Sequence, residues 1–175
     1  MKLKVYEYPH PVLKSKALPV VKVDDKLRAL MDDMLETMYD GGVGLAAPQI
    51  GESIRVIVVD HEQMRDDEVG EVIKGNPLYL VNPEFVWKSE EMICGDEGCL
   101  SIPGQWAEVE RHAMVRVKYM DYNGDEKELM AEDYLAVILQ HEMDHLDGIL
   151  YIDRISRLKR SMLIKKLEKE RKGNE

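Results

Sequence analysis

Cysteine is scarce in this chain. Cys94 and Cys99 are the only two among 175 residues, too few to staple a chain of this length, so a disulfide scaffold is excluded and reduced thiols are expected. No run approaches the roughly eighteen consecutive apolar residues of a membrane span. The opening Met1-Lys2-Leu3-Lys4-Val5-Tyr6-Glu7 lacks both the apolar core of a secretion signal and the Arg/Ser-rich, acid-poor character of a transit peptide. A cytoplasmic protein is the simplest expectation. An excess of positive charge is also missing: the net charge of -10 argues against a dedicated nucleic-acid binder, whose charge is usually basic. Repeats, low-complexity stretches and anything resembling an interdomain linker are absent as well. With 45% hydrophobic and 33% charged residues, residues 1–175 suit one globular domain able to bury a sizeable core.

Along the chain, the three prolines at Pro9, Pro11 and Pro19 mark residues 1–23 as an extended arm. From Asp24, a suitable N-cap, Leu27, Leu30, Met31, Met34, Leu35 and Met38 recur at helical spacing to about Tyr39. This methionine-rich stripe reads as core packing. Gly41-Gly42-Val43-Gly44 ends that helix, allowing positive φ and close backbone approach. The β-branched run Ile54–Asp60 is the clearest strand. Residues 61–76, with an acidic cluster and two glycines, read as a surface loop. Further strands are expected at Leu78–Val81, Glu84–Ile93, Ala107–Arg111, Val115–Asp121 and Lys127–Met130, with a hairpin at Tyr122-Asn123-Gly124-Asp125. A helix from about Asp133, apolar nearly all round and therefore buried, should end near Gly148. A final amphipathic helix over about 156–172 sets Leu158, Met162, Leu163 and Leu167 against a basic face. The expected fold is α+β: mostly antiparallel strands packed around a central helix, with one helix on the N-terminal side and one at the C-terminus.

That central helix carries the chemistry. Gln140-His141-Glu142-Met143-Asp144-His145 contains His-Glu-x-x-His. Four residues apart on a helix, His141 and His145 project from one face and can hold one divalent metal, with Glu142 within reach of a water on it. A catalytic site of this kind needs a third protein ligand and an open fourth position. Nothing around His10, His61 or His112 marks a ligand. Cys99, in Glu97-Gly98-Cys99-Leu100-Ser101 ahead of a Pro103-Gly104 turn, is the attractive candidate, although in isolation it reads as a small buried hydrophobe, as Cys94 does.

Three stretches together are more specific than any one alone. Gly42-Val43-Gly44-Leu45-Ala46-Ala47-Pro48-Gln49, Glu97-Gly98-Cys99-Leu100-Ser101 and Gln140-His141-Glu142-Met143-Asp144-His145 resemble the three motifs of bacterial peptide deformylases, in that family's order and spacing. The resemblance covers almost the whole chain, and the last helix is similar to that of the first bacterial type. It implies that Cys99, His141 and His145 ligate one divalent metal. Ferrous iron is expected physiologically, and zinc, nickel or cobalt can occupy such a thiolate site in purified protein. It makes Glu142 the general acid–base and places the Gln49 amide and the Leu100 backbone N–H beside the reacting carbonyl. The implied reaction is hydrolysis of the formyl group from N-formylmethionyl nascent peptides, releasing formate. Val43, Gly44, Gly98, Val137 and Ile138 fall at substrate-binding positions, with Gly44 suited to pairing with an extended peptide. Trp106 stands where many members carry an arginine, and Gly95 where a larger apolar residue is common. The basic helix is associated with ribosome docking in bacterial relatives. Two competing readings are a zinc peptidase, which shares His-Glu-x-x-His, and an inactive homologue that only binds a partner.

Overall fold

The computed structural model describes residues 1–173. Its backbone is a five-stranded antiparallel sheet and a long two-stranded ribbon, with helices between and around them. Asp24 caps the first helix, α1 (Asp25–Met38), by accepting the Leu27 N–H at 2.9 Å. Strands β1 (Gly44–Ala46) and β2 (Val56–Val59) follow. The segment 61–76, expected to be loop throughout, instead folds into a small hairpin of β3 (Met64–Arg65) and β4 (Val72–Ile73). Its strands are only two residues long, too short for alternation to be visible in the sequence.

Strand β5 (Leu78–Lys88) merges what reads in sequence as two strands. Asn82, at φ 51° in its middle, makes the register shift, and its side-chain amide pairs with both the N–H and the carbonyl of Val20 in the N-terminal arm. The expected strand Glu84–Ile93 is in turn divided. A turn around Ser89 separates β5 from β6 (Met92–Cys99), which pairs with β7 (Ile102–His112). The turn at the Cys99 end falls on Leu100-Ser101, and Pro103-Gly104 lies inside β7, contrary to the sequence expectation. Strands β8 (Met114–Met120) and β9 (Glu126–Glu132) form the expected hairpin. They complete the sheet order β1-β2-β5-β8-β9.

Helix α2 (Asp133–Leu146) lies between the sheet and the ribbon. The β2 run explains why its sequence does not alternate. Val56 and Val58 pack with Leu27, Met31, Met34 and Met38 of α1, whereas Ile57 and Val59 pack with Ala136, Leu139, Met143 and Leu146 of α2. Both faces are covered, so every position is apolar. The methionine stripe is core, as its spacing predicts. Gly148, just past α2 at φ 74°, is obligatory: a Cβ there would run into the Lys14 carbonyl.

The last helix, α3 (Arg157–Gly173), docks through Leu163 and Leu167 onto Ile102 and Val109 of β7. Leu158 and Met162, expected on that packed face, are 71% and 62% exposed instead. They are four residues apart on one face, which is turned away from the face that carries Leu163 and Leu167 to the ribbon. The N-terminal arm is extended apart from a turn at Tyr8-Pro9 and a 3-10 turn at Pro11–Lys14. It straps the chain together from outside: Tyr6 N–H donates to the Gln49 carbonyl, Tyr8 N–H to that of Ser101, and Ala17 N–H to that of Leu146. Two of the three motifs, and the residue just past the third, are therefore tied by their backbone to the same arm.

Candidate metal centre

Helix α2 brings His141, Glu142 and His145 to one buried face, at 6%, 5% and 1% exposure, and the end of β6 delivers Cys99 beside them. The ligand atoms of Cys99, His141 and His145 all lie within 4.8 Å of one another, the one such grouping among the described residues. Cys99 Sγ stands 3.5 Å from His145 Nε2. Metal–sulfur and metal–nitrogen bonds at a tetrahedral angle would separate these atoms by about 3.6 Å. The three residues thus fit a metal, as one thiolate and two imidazoles with room for a fourth ligand.

The protein also fixes which imidazole nitrogen faces inward. His141 Nδ1 donates to Glu97 Oε1 at 2.8 Å, which leaves Nε2 for the centre. Glu97 is held in a two-point pair with Arg111 at 2.9 and 2.8 Å, and Arg111 reaches on to Asp144 at 2.7 Å. Asp144 is gripped from the other side by Arg154. Burial works to raise the Glu97 carboxyl, but the Arg111 guanidinium and the His141 ring overcome it and hold it at about 2. The Tyr151 ring stacks on His141 at 5.8 Å between centroids. For His145, burial and then the neighbouring His141 and Arg111 lower the pKa, favouring the neutral ring that a metal requires.

Glu142 lies over this triad, its carboxylate oxygens each 4.0 Å from a ring Nε2 of His141 or His145. Its Oε1 is buried without a hydrogen-bond partner. Burial pushes the carboxyl up to about 7, with Glu97 acting in the same direction against His141 and Arg111. A proton acceptor poised near neutrality beside a metal position is the arrangement general acid–base work needs. Gly44 makes room for it: a Cβ there would stand 2.7 Å from Glu142 Oε2.

Gln49 is oriented by its own backbone. Its Oε1 accepts the Ala46 N–H at 2.9 Å, so its amide N–H groups point at Ser101 Oγ (3.1 Å) and Cys99 Sγ (3.4 Å). A cavity of about 370 Å³ opens over the triad. Val43, Gly44, Gln49, Gly98, Leu100, Val137, Ile138 and Glu142 all line it. Gly98 lets the Trp106 ring lie against its backbone, where a Cβ would be 2.7 Å away, and Trp106 forms the exposed rim. Gly95 does not reach the cavity, and a side chain there would meet open space. Cys94, read in sequence as a buried hydrophobe, is exposed, because its strand turns that face to solvent.

Sequence reasoning passed over Glu97, Ser101, Arg111, Asp144 and Tyr151. Glu97 had a usable signal, since strand alternation sets it on the same side as Cys99. Asp144, three residues after His141, shares its helix face. Arg111 had none, because its partners are distant in the chain.

The polypeptide deformylase family model matches residues 2–161. A peptide deformylase of Phenylobacterium zucineum is 52% identical over 166 residues, covering 94% of each chain. The crystal structure of the Ehrlichia chaffeensis peptide deformylase superposes with a TM-score of 0.89 at 36% identity, over 99% of both chains. A class I type b peptide deformylase of Acinetobacter baumannii, solved with Met-Ala-Ser bound, gives 0.80 at 40% identity, covering 89% of this chain and 99% of that one.

Proposed function

The chain belongs to the polypeptide deformylase family, and from that premise we propose how its own residues divide the removal of a formyl group from a nascent peptide. The protein is a hydrolase of N-formylated peptides that uses a single metal. Cys99 and the inward nitrogens of His141 and His145 hold that metal. When bound, it supplies Lewis acidity toward water and toward the formyl carbonyl. Glu142 accepts the proton of the attacking water and returns it to the departing amine, so that formate and a free N-terminus leave. The Gln49 amide and the Leu100 backbone N–H donate to the oxyanion, and each such donor is typically worth about 2.7–4 kcal/mol of barrier.

Val43, Val137 and Ile138 take the methionine side chain, while Gly44 and Gly98 offer backbone to an extended peptide. The Met-Ala-Ser of the Acinetobacter structure has the chemistry of a deformylated product. The thiolate donor supports ferrous iron as the physiological metal, with zinc, nickel or cobalt as substitutes in purified protein. Residues 1–175 act as one catalytic unit, working in the cytoplasm. Among the described residues no helix is long and apolar enough to cross a membrane.

The observation that carries this reading is the buried Glu142 carboxylate, one oxygen toward each of the two imidazoles and its Oε1 without a hydrogen-bond partner. An internal-bond zinc peptidase is disfavoured by the family match and by the thiolate among the three clustered donors. The test is formate release from formyl-Met-Ala-Ser by metal-loaded protein. Turnover should fall by about 10²–10⁴ in Glu142→Ala with metal content unchanged. Fully loaded wild-type protein without turnover would refute the assignment.

A further inference from the structure

The segment 61–76 braces the cavity wall at one point. Gln63 Nε2 donates to the Gly42 carbonyl at 2.9 Å and to the Asp60 carbonyl at 3.0 Å, using both of its amide protons. Gly42 lines the cavity at the entry to β1. The Gly41-Gly42-Val43 backbone carries little side chain with which to anchor itself, and glycine explores conformations other residues cannot. Three hydrogen bonds hold it: Gly42 N–H to the Met38 carbonyl, Asp60 N–H to the Val43 carbonyl, and the Gln63 amide. The first two are backbone pairs close to a helix end and a strand end. Only the third comes from a side chain, and from a segment that is otherwise surface.

That segment is itself anchored at both ends by one buried group. The Asp60 carboxylate, 0% exposed, accepts the N–H groups of Glu62, Gly75 and Asn76 and the Tyr39 hydroxyl. Burial works to raise this carboxyl, but the Tyr39 hydroxyl and the three N–H groups outweigh it and lower its pKa. Gln63 is thus presented from a fixed base. β1 is the end strand of its sheet, paired on one side with β2, and its other side is available to a peptide laid along it.

We propose that Gln63 is a positioning residue for substrate: through the Gly42 carbonyl it holds the glycine entry to β1 where an extended formyl peptide pairs with it. This rests on the deformylase reading above. Its consequence is expected in the part of the substrate beyond the formylmethionine, because the Gln63 amide bonds to the Gly42 and Asp60 carbonyls and to no residue of the triad or of the methionine pocket.

Steady-state kinetics of metal-loaded Gln63→Met, which keeps the stem and removes both donors, compared with wild type will test this. With formyl-Met-Ala-Ser, KM should rise about fivefold with kcat held, the scale of one lost hydrogen bond. With formyl-Met alone both constants should stay close to wild type. Met-Ala-Ser binding measured by calorimetry should weaken by the same factor without involving turnover. An unchanged KM for the tripeptide, or an equal loss on both substrates through kcat, overturns the proposal. So does a variant that fails to fold, accompanied by a well-folded Gln63→Ala with wild-type kinetics. Absence of turnover in wild type would instead strike at the deformylase reading, and is seen in a separate arm.

Discussion

At the scale of single residues, the centre depends on pairs distant in sequence. Glu142 can occupy its position because residue 44 has no Cβ, and Gln49 points its donors inward because the Ala46 N–H takes its oxygen. The glutamate also has a measurable electrostatic signature. Its folded carboxyl is raised from 4.5 to about 7 by burial, with Glu97 adding to that. The protonated form is therefore favoured by folding, and the stability it brings is fully present below the unfolded value near 4.5 and lost as pH rises through about 7. Metal-free wild-type protein should lose melting temperature between pH 5 and pH 8, and Glu142→Gln should flatten that loss. Parallel pH profiles for the two would show that Glu142 is not the group responsible.

At the scale of elements, α2 is positioned by a charge network rather than by packing alone. Arg111 of β7 joins Glu97 of β6 to Asp144 of α2, and Asp144 meets Arg154 beyond the helix. Arg111 is 4% exposed, so removing it leaves the buried Glu97 carboxylate with His141 alone and Asp144 with Arg154 alone. Breaking a buried pair in this way costs about 3–5 kcal/mol, and loss of an outer partner of a ligand histidine weakens metal binding by about 10–100-fold. Arg111→Met should show both effects, in urea unfolding of metal-free protein and in competition with a metal chelator. A variant weakened in stability but normal in metal affinity would assign Arg111 a purely structural part. The N-terminal arm works at the same scale. Its backbone bonds to Gln49, Ser101 and Leu146 brace three elements that do not neighbour one another in the chain.

At the scale of the whole molecule, charge is unevenly distributed. The overall balance is -10, yet α3 carries Lys159, Lys165, Lys166 and Lys169 on solvent, beside exposed Leu158 and Met162. Its buried Leu163 and Leu167 anchor it, and Glu170 reaches back to Gln105 at 2.7 Å. If this face meets the ribosome, reversing those four lysines to glutamate should weaken co-sedimentation and flatten its salt dependence. The folded core should be untouched, because none of the four is buried. Equal co-sedimentation of variant and wild type would remove the ribosome as a partner of this helix.

Much of this was legible in the sequence by itself. Periodicity located α1 and α2, the β-branched run located β2, and Asn123-Gly124 located the β8–β9 turn, because these signals are local. The His141–His145 spacing offered a face that can hold a metal as soon as the segment was helical. Cys99 was the attractive third ligand from its surroundings, but its role, and that of Gln49, came from the motif resemblance. Tertiary structure decided the remainder. The 92–99 strand is hidden behind glycine and acidic residues, and its pairing with β7 sets Cys99 beside the helix. Leu158 and Met162 match the apolar period of α3 yet face solvent, since the ribbon covers only the face that carries Leu163 and Leu167. Arg111, Glu97 and Asp144 are ordinary surface residue types in sequence, and they become a buried network only when β6, β7 and α2 converge. Local pattern dictates which elements form; the choice of which charges can be buried together belongs to the packing of those elements, where each desolvated group must find its partner.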